Sequence, residues 1–284
     1  MDILILVISM SIFISIGISL MFWALNVMIM KLYIVEIPFF VLAFYRVLFS
    51  FLFVCLYLMK KKCKILKNEI LINALIGFMM YYFNILLTLY GQRYLNGTSV
   101  AILNSLSSIF IIISSFVFLN KKININHIIY ISLILFAFLM CINFNMGVMN
   151  KGVLFLILGL IVYNVGYLLM VKYNIKRDIS SLFVQLLFAL ICYIIHSYFL
   201  DYSLTLHLSI SDLCLFLFIS GFGFVYIQNT YIKSMNSLGN IKTSAYFSLV
   251  PIFIYIVSIV FLNEKILINE LISMITLVLA FFLL

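Results

Sequence analysis

The feature that most constrains this chain is a succession of long apolar runs separated by short polar or charged stretches. A helix needs about 20 apolar residues to cross the hydrocarbon core of a bilayer, which is about 30 Å thick. Of the 284 residues, 67% are hydrophobic and 9% are charged, whereas soluble domains carry about 25% charged residues. The chain is therefore predicted to be an all-α, multi-pass membrane protein, and a soluble enzyme is excluded.

Charged and turn residues divide the apolar runs into ten predicted transmembrane helices. The predicted spans are 4–28, 37–59, 70–90, 98–119, 126–143, 151–171, 179–199, 211–232, 240–262 and 266–284. The run from Ile3 to Met30 is too long for a signal-peptide core and lacks a cleavage site, so we interpret it as the first helix. The cysteines are scattered without a C-x-x-C pair, so no metal site, disulfide framework or cofactor is predicted.

The basic residues indicate topology and argue against a nucleic-acid partner. The net charge is +9, but Lys and Arg lie in short loops and form no basic face or arm. Loops that follow even-numbered helices hold eleven of these residues, and loops that follow odd-numbered helices hold four. Because cytoplasmic loops retain positive charge during insertion, we expect the even-numbered loops and both termini to be cytoplasmic.

The chain contains an internal repeat. Phe118–His127 matches Phe261–Glu270 at seven of ten positions, and Ser105-Leu106 pairs with Ser248-Leu249 at the same offset of 143. A chance match in an Ile- and Asn-rich chain is the alternative, but composition does not explain the order of the matched helix ends. Two five-helix halves, 1–143 and 144–284, must have opposite orientations in the membrane. Inverted repeats of this kind are typical of transporters with alternating access.

Three motifs carry a resemblance to a known family. They are Pro38 before helix 2 with Arg46 inside it, the junction Tyr90–Ser99, and Leu249-Val250-Pro251 followed by Leu262–Lys265. Because these motifs occur in this order, the chain resembles the drug/metabolite transporter superfamily, EamA type, over nearly its whole length. The resemblance implies ten helices as two inverted fives, with helices 1 to 4 and 6 to 9 around a cavity. The chain departs from the family at Ser108, where a proline is common, and in the absence of the usual glycines from helices 5 and 10.

Polar and aromatic side chains inside the predicted helices are candidates for the lining of a substrate cavity, because amides that face lipid are costly. The candidates are Trp23, Asn26, Arg46, Tyr81, Asn84, Thr88, Ser105, Tyr163, Tyr167, Tyr226, Asn229, Ser248 and Tyr255. The alternatives are hydrogen bonding between helices and, for the serine stripes of helices 4 and 9, close packing of small residues. Pro251 is a candidate hinge because it removes a backbone hydrogen bond.

Arg46 is a charge deep in a predicted helix, where it could hold a substrate carboxylate or phosphate. The competing interpretation, which the sequence favours, is structural, with the guanidinium bound to helix carbonyls. All eight carboxylates fall at helix ends or in loops. Without a carboxylate at mid-membrane, proton-coupled export of cationic drugs is not favoured.

The leading hypothesis is a transporter in a bacterial inner membrane that moves a small polar metabolite by alternating access. Aromatic and amide side chains suit an amino acid or related amphiphile, and export is the commoner direction in the resembled family. The alternative is an importer of a host or environmental metabolite, such as a nucleoside-containing cofactor. A membrane-embedded enzyme is remote, because His127, His196 and His207 are dispersed and no catalytic residue is predicted. The expected partners are the substrate and the bilayer, with the chain a monomer or weak homo-oligomer.

Overall fold

A computed structural model describes the backbone of residues 2–60, 69–119, 122–141, 151–175, 178–201, 203–206, 208–262 and 267–283. Side chains are described within these ranges except at 2–10, 60, 119 and 262. Several residues used in the sequence predictions lie outside the described residues: Lys61, Lys62, Lys64, Lys67, Lys176, Arg177, His207 and the repeat segments Asn120–Lys121 and Asn263–Ile266.

The regular secondary structure of the described residues is helical, and no strand occurs among them. The helices are α1 Asp2–Tyr33, α2 Phe39–Lys60, α3 Ile70–Gln92, α4a Gly97–Ser105, α4b Ser107–Leu119, α5 Ile125–Cys141, α6 Lys151–Lys172, α7 Ile179–Phe199, α8 Ile210–Leu238, α9a Asn240–Phe247, α9b Val250–Leu262 and α10 Ile268–Phe281. With α4 and α9 taken as single spans, eight helices of the described part of the chain are long and apolar enough to cross a membrane, whereas α5 and α10 are shorter apolar helices. The all-helical, multi-pass prediction is confirmed, and the count of ten crossings stays a prediction.

Local sequence signals set several of these helix boundaries. Pro38 precedes α2, where its missing N–H costs no helical hydrogen bond. Asn96 is the N-cap of α4a, and its side-chain oxygen accepts a hydrogen bond from the Ser99 N–H at 2.8 Å. Gly239 adopts φ 83°, a conformation that suits glycine, so that α9a begins at Asn240 directly after α8 has ended.

The chain forms two compact units, and each unit takes helices from both halves of the sequence. Unit 1 comprises Met1–Met28, Asn96–Val148 and Tyr226–Leu284, and unit 2 comprises Ile29–Leu95 and Met149–Val225. These units are defined by which residues lie close together in space, not by similarity between parts of the sequence. The repeat boundaries 1–143 and 144–284 therefore stay a prediction.

In unit 1, α4 and α9 are broken helices that pack against each other antiparallel. The first segment of each contacts the second segment of the other, α4a with α9b and α9a with α4b. Next to them, α5 packs along α10. Tyr130 of α5 is fully buried, and its hydroxyl donates a hydrogen bond to Ser248 Oγ at 3.1 Å. Ile102, Ile112 and Leu277 belong to the apolar core that joins these helices.

The breaks in α4 and α9 fall at the same position of the sequence repeat. Leu106 N–H bonds to the Leu103 carbonyl at 3.1 Å and Leu249 N–H to the Tyr246 carbonyl at 3.2 Å, both three residues back instead of four. The offset between the two breaks is the 143 residues seen in the sequence. Pro251 accounts for the break in α9, since proline cannot donate to the preceding turn.

The break in α4 occurs without a proline. Here Ser105 Oγ donates to the Ile102 carbonyl at 2.6 Å and Ser108 Oγ to the Ser105 carbonyl at 2.7 Å. Such side-chain bonds compete with the main-chain ladder and bend helices. Although Ser108 stands where a proline is common in the family, α4 is broken at the position that matches the break in α9.

In unit 2, glycines bring the helix backbones close together. Gly91 of α3 and Gly152 of α6 are so near that a Cβ added at Gly91 would lie 2.8 Å from the Gly152 carbonyl oxygen. Gly77 of α3 lies on the backbone of Gln185 of α7 in the same way, and Gly221 of α8 lies on Phe49 and Phe53 of α2. These contacts fix α3 between α6 and α7, and α8 against α2.

Two helices of unit 2 contain π-helical segments, Phe78–Phe83 in α3 and Leu217–Gly223 in α8. Carbonyls of both segments accept hydrogen bonds from a neighbouring helix. Ser50 Oγ of α2 donates to the Ser220 carbonyl at 2.9 Å, and the Tyr193 hydroxyl of α7 donates to the Tyr82 carbonyl at 3.2 Å. Ser50 and Tyr193 are themselves 143 residues apart, so the repeat extends to the side chains that stabilise the two π-helical segments.

Ser50→Ala and Tyr193→Phe are expected to loosen different π-helical segments. Each variant removes the hydroxyl that donates to one π-helical segment, a contact worth about 1 kcal/mol. Ser50→Ala removes the bond to the Ser220 carbonyl, besides one to the Arg46 carbonyl of its own helix, and Tyr193→Phe removes the bonds to the Tyr81 and Tyr82 carbonyls. Amide hydrogen exchange should rise in Leu217–Gly223 for Ser50→Ala and in Phe78–Phe83 for Tyr193→Phe, with each variant serving as the control for the other. A rise in both segments for either variant, or in neither, would contradict the pairing.

Candidate functional site

The residues proposed from the sequence divide between the two units. Unit 2 holds Arg46, Tyr81, Asn84, Thr88, Tyr163 and Tyr167, and unit 1 holds Trp23, Asn26, Ser105, Tyr226, Asn229, Ser248, Pro251 and Tyr255. The contacts of these side chains show which of them join helices through hydrogen bonds and which do not.

Arg46 lies within α2 and is the charged side chain furthest from the helix ends in unit 2. Its Nε is buried and has no hydrogen-bond partner. The hydroxyl of Tyr193 on α7 is close enough to interact electrostatically with the guanidinium. Among the described residues, no hydrogen bond joins the guanidinium to a helix carbonyl, which is the contact that the structural interpretation requires.

An aromatic cluster surrounds Tyr193 in unit 2. Its ring meets those of Phe40 at 5.6 Å and Tyr82 at 4.9 Å between centroids. The Tyr82 hydroxyl is hydrogen-bonded to His196 Nδ1 at 2.7 Å, and the His196 ring lies edge-on to Phe40. His196 therefore belongs to an ordered cluster between α2, α3 and α7, a role that the sequence did not indicate.

The polar residues of α3 and α6 include both helix-joining and unassigned side chains. Asn84 Nδ2 donates to the Gly159 carbonyl of α6 at 2.9 Å and lies 3.3 Å from Thr88 Oγ1. Hydrogen bonding between helices, the alternative left open by the sequence, therefore describes Asn84. Tyr81 is buried, with its ring against Phe224 at 5.8 Å and its hydroxyl near that of Tyr163.

Asn164 of α6 leaves an acceptor unused. Its Nδ2 donates to the Leu160 carbonyl at 2.7 Å, but its buried Oδ1 has no partner among the described residues. Tyr167, one turn further along, is also buried. Asn164 was not among the residues proposed from the sequence; the signal that could have indicated it is a side-chain amide inside a predicted membrane helix, next to Tyr163.

In unit 1, the aromatic candidates contact other rings. Trp23 lies 6.0 Å from Phe247 and Tyr226 lies 5.8 Å from Phe22, measured between ring centroids. Asn26 is buried, whereas Asn229 and Tyr255 are partly exposed. Tyr226 and Asn229 lie three residues apart on α8 and therefore share one face of the helix.

The serine candidates of unit 1 bond to their own helices. Ser105 Oγ donates to the Ile102 carbonyl, and Ser248 Oγ donates to the Ala245 carbonyl at 2.7 Å while it accepts from Tyr130. These contacts agree with the packing interpretation of the stripes on α4 and α9. Pro251 is buried immediately after the break in α9, where a hinge was predicted.

Glu270 is a buried carboxylate whose contacts the sequence analysis did not foresee. It lies in the first turn of α10 with 2% of its surface exposed. Its Oε1 accepts hydrogen bonds from Asn96 Nδ2 at 2.7 Å and from Ser99 Oγ at 2.9 Å, at the N-terminus of α4a. A carboxylate at a helix N-terminus is favoured by the helix dipole. The expectation that carboxylates lie near helix ends holds here, but burial and pairing depend on tertiary structure.

The long apolar helices define a multi-pass integral membrane protein, whose natural environment is the lipid bilayer. The model of the EamA-like transporter family matches the chain twice, over residues 10–143 and 150–284. The chain therefore belongs to the EamA-like transporter family, and the resemblance inferred from Pro38, Arg46 and the later motifs is confirmed. Its architecture is that of two repeats, and the family is one of transporters.

A solved crystal structure of another protein has the same fold. It superposes with a TM-score of 0.70 over 96% of each chain, at 8% sequence identity. At this identity the likeness concerns the fold alone. A comparison with curated protein sequences gives no match.

Proposed function

We propose that this chain moves a small polar metabolite across a bacterial inner membrane by alternating access, with ten crossings arranged as an inverted repeat and both termini in the cytoplasm. The observation that carries the proposal is the matched break in α4 and α9, two antiparallel helices interrupted at the same repeat position. Transporters with inverted repeats place discontinuous helices at the substrate site, and rocking of one repeat against the other gives alternating access.

Amino acids and related amphiphiles are the favoured substrates, with export as the favoured direction. The polar and aromatic candidates provide acceptors, donors and ring faces of the kind that bind a zwitterion. Import of a nucleoside-containing cofactor or similar metabolite is the second candidate. Radiolabelled solute uptake by cells that express the chain, together with resistance to toxic amino-acid analogues, separates the two: gained resistance supports export, whereas gained uptake without resistance supports import.

Tyr226→Ala and Asn229→Ala are expected to slow transport without loss of folded protein. Both side chains are partly exposed on one face of α8, so their removal takes away groups that can contact a solute and leaves little buried volume empty. Counterflow of a labelled amino-acid mixture into proteoliposomes measures the effect, which we expect to exceed about tenfold for loss of one substrate contact of 1.5 kcal/mol.

Gln228→Ala is the matched control, because it removes an amide from the adjacent position on a different side of α8. The size-exclusion profile of each variant shows whether the protein is folded. Unchanged counterflow for both Tyr226→Ala and Asn229→Ala, with folded protein, would remove this face of α8 from the substrate site.

A further inference from the structure

We infer that Arg46 is a binding site for one carboxylate group of the transported solute. The inference rests on the proposed function and narrows it, since it assigns the substrate to the class of monocarboxylates and amino acids. It also reverses the interpretation favoured by the sequence, in which Arg46 is structural.

The first observation is the position of the charge. Arg46 is the eighth residue of α2, Phe39–Lys60, so about 10 Å of helix separates it from the start of the span. A charge at that depth is costly unless a partner or water compensates it. A functional requirement or an internal partner must therefore account for its presence.

The second observation is that the described residues offer the guanidinium neither a hydrogen-bond acceptor nor an ion-pair partner. Nε is buried and unpartnered, and the hydrogen bonds and ion pairs among the described residues leave out the whole guanidinium. The carboxylates of unit 2 are at helix ends or outside the helices: Glu36, Glu69, Asp178, Asp201 and Asp212. None of them is placed to neutralise a charge inside α2.

The third observation is that neighbouring hydroxyl groups are already used elsewhere. Ser50 Oγ bonds to the carbonyls of Arg46 and Ser220, and Tyr45 OH bonds to the Leu204 carbonyl at 3.0 Å. Tyr193 OH donates to the backbone of α3. These groups donate to main-chain carbonyls, and none of them accepts a hydrogen bond from the five N–H donors of Arg46, although the Tyr193 hydroxyl lies near enough to interact electrostatically.

Lys31 shows how this unit arranges a cation that does serve structure. Its Nζ donates to the Gln92 carbonyl at 3.2 Å, at the C-terminus of α3, where the helix dipole favours a positive charge. Arg46 has no equivalent contact among the described residues. The difference between the two cations supports a ligand as the missing partner of Arg46.

Charge balance selects a carboxylate over a phosphate. A guanidinium matches a carboxylate with two parallel N–H···O bonds and neutralises its single charge. A phosphate monoester carries close to two negative charges at neutral pH. A single arginine would therefore leave about one negative charge uncompensated in a low-dielectric interior. The other cations in the helices of unit 2, Lys31, Lys60, Lys151 and Lys172, lie in the terminal turns of their helices, whereas Arg46 lies further inside its own.

The first test needs no ligand. An uncompensated charge destabilises the empty protein, so Arg46→Gln should melt several degrees higher than the wild type in detergent. Arg93→Gln, which removes an exposed arginine after α3, is the control and should melt as the wild type does. A lower melting temperature for Arg46→Gln would show that Arg46 stabilises the fold and would overturn the inference.

The second test measures binding and transport with chemically matched probes. Amino acids, short-chain monocarboxylates and 2-oxo acids are each compared with the corresponding amide, and phosphate monoesters, inorganic phosphate and chloride are added as separate arms. We expect at least one carboxylate to raise the melting temperature of the wild type and of Arg93→Gln and to be transported in proteoliposomes. Its amide should have no effect, and Arg46→Gln should weaken binding at least tenfold. Arg46→Lys should restore part of the affinity, because it keeps the charge without the bidentate geometry.

The outcomes separate this inference from the proposed function. Transport of an amide or other neutral solute that persists in Arg46→Gln keeps the transporter and overturns the carboxylate site. Preference for phosphate or equal stabilisation by chloride also overturns it. If the wild type transports no solute, the proposed function fails, while the melting temperature of Arg46→Gln still decides whether Arg46 is a structural residue.

Discussion

Gly77→Val is expected to prevent unit 2 from assembling. A Cβ at this position would collide with the Gln185 carbonyl oxygen of α7 and would lie 2.7 Å from the Gln185 Cα. These are backbone atoms of a packed helix, so they cannot move aside as a flexible side chain can. Overpacking of a core costs about 1–3 kcal/mol and occasionally more, and we expect the upper end here because α3 and α7 must separate.

The measurement is the fraction of monodisperse protein after size-exclusion chromatography and its melting temperature. Gly77→Ala should already lower both, because the collision begins at Cβ. Gly17→Ala and Gly17→Val are the matched controls: Gly17 also lies inside a helix, but a Cβ there meets no atom within 4 Å. The Gly17 variants should retain wild-type stability, since alanine favours a helix by about 1 kcal/mol over glycine. Equal behaviour of the Gly77 and Gly17 variants would show that close packing at Gly77 is not needed.

Glu270→Leu is expected to release the N-terminus of α4a from α10. The variant removes the common acceptor of Asn96 and Ser99 and leaves two partly buried donors without it. Each buried polar group that loses its partner costs about 1–3 kcal/mol, so the loss should lower the melting temperature markedly. Glu270→Gln keeps an acceptor oxygen and should lose less, and Glu36→Leu, at an exposed glutamate, should lose little.

Cys141 provides a local readout of the same change. Its side chain lies beside Ser99 and Glu270 at the end of α5 and is only partly exposed. In a variant that keeps Cys141 as the single cysteine, its labelling rate by a maleimide should rise when Glu270→Leu is added. An unchanged rate together with an unchanged melting temperature would argue that Glu270 does not join α4a to α10.

Apolar length and helix-end signals made the fold predictable. The spans follow from runs of about 20 apolar residues, and the family followed from Pro38, Arg46 and the junction at Tyr90–Ser99. The sequence repeat paired Ser105-Leu106 with Ser248-Leu249 but predicted single helices there, and the structure places a break at both positions. The spans and the family motifs depend on residues near one another in the sequence, which is why periodicity and motif order were enough.

The site was less predictable because a polar residue inside a membrane helix has several possible partners. From the sequence, Asn84 was favoured as a cavity residue and Arg46 as a structural one. In the structure, Asn84 binds the Gly159 carbonyl, whereas the described residues offer the Arg46 guanidinium no hydrogen bond. Glu270 and Tyr193 acquire their roles from residues more than a hundred positions away. Only the packing of distant helices determines which polar groups are satisfied internally and which are left for a ligand.

The interleaved units impose an order on biogenesis. Because the ribosome delivers the chain from its N-terminus, unit 2 is complete once Val225 has been synthesised, whereas unit 1 still awaits Tyr226–Leu284. During that interval α4 and α5 are already inserted without α9 and α10, and the donors Asn96 and Ser99 lack the carboxylate of Glu270. The helices that are synthesised last, α9 and α10, therefore complete the unit that contains α1, the helix synthesised first. A chain truncated after Val225 would leave the early helices of unit 1 without these partners and accessible to quality-control proteases.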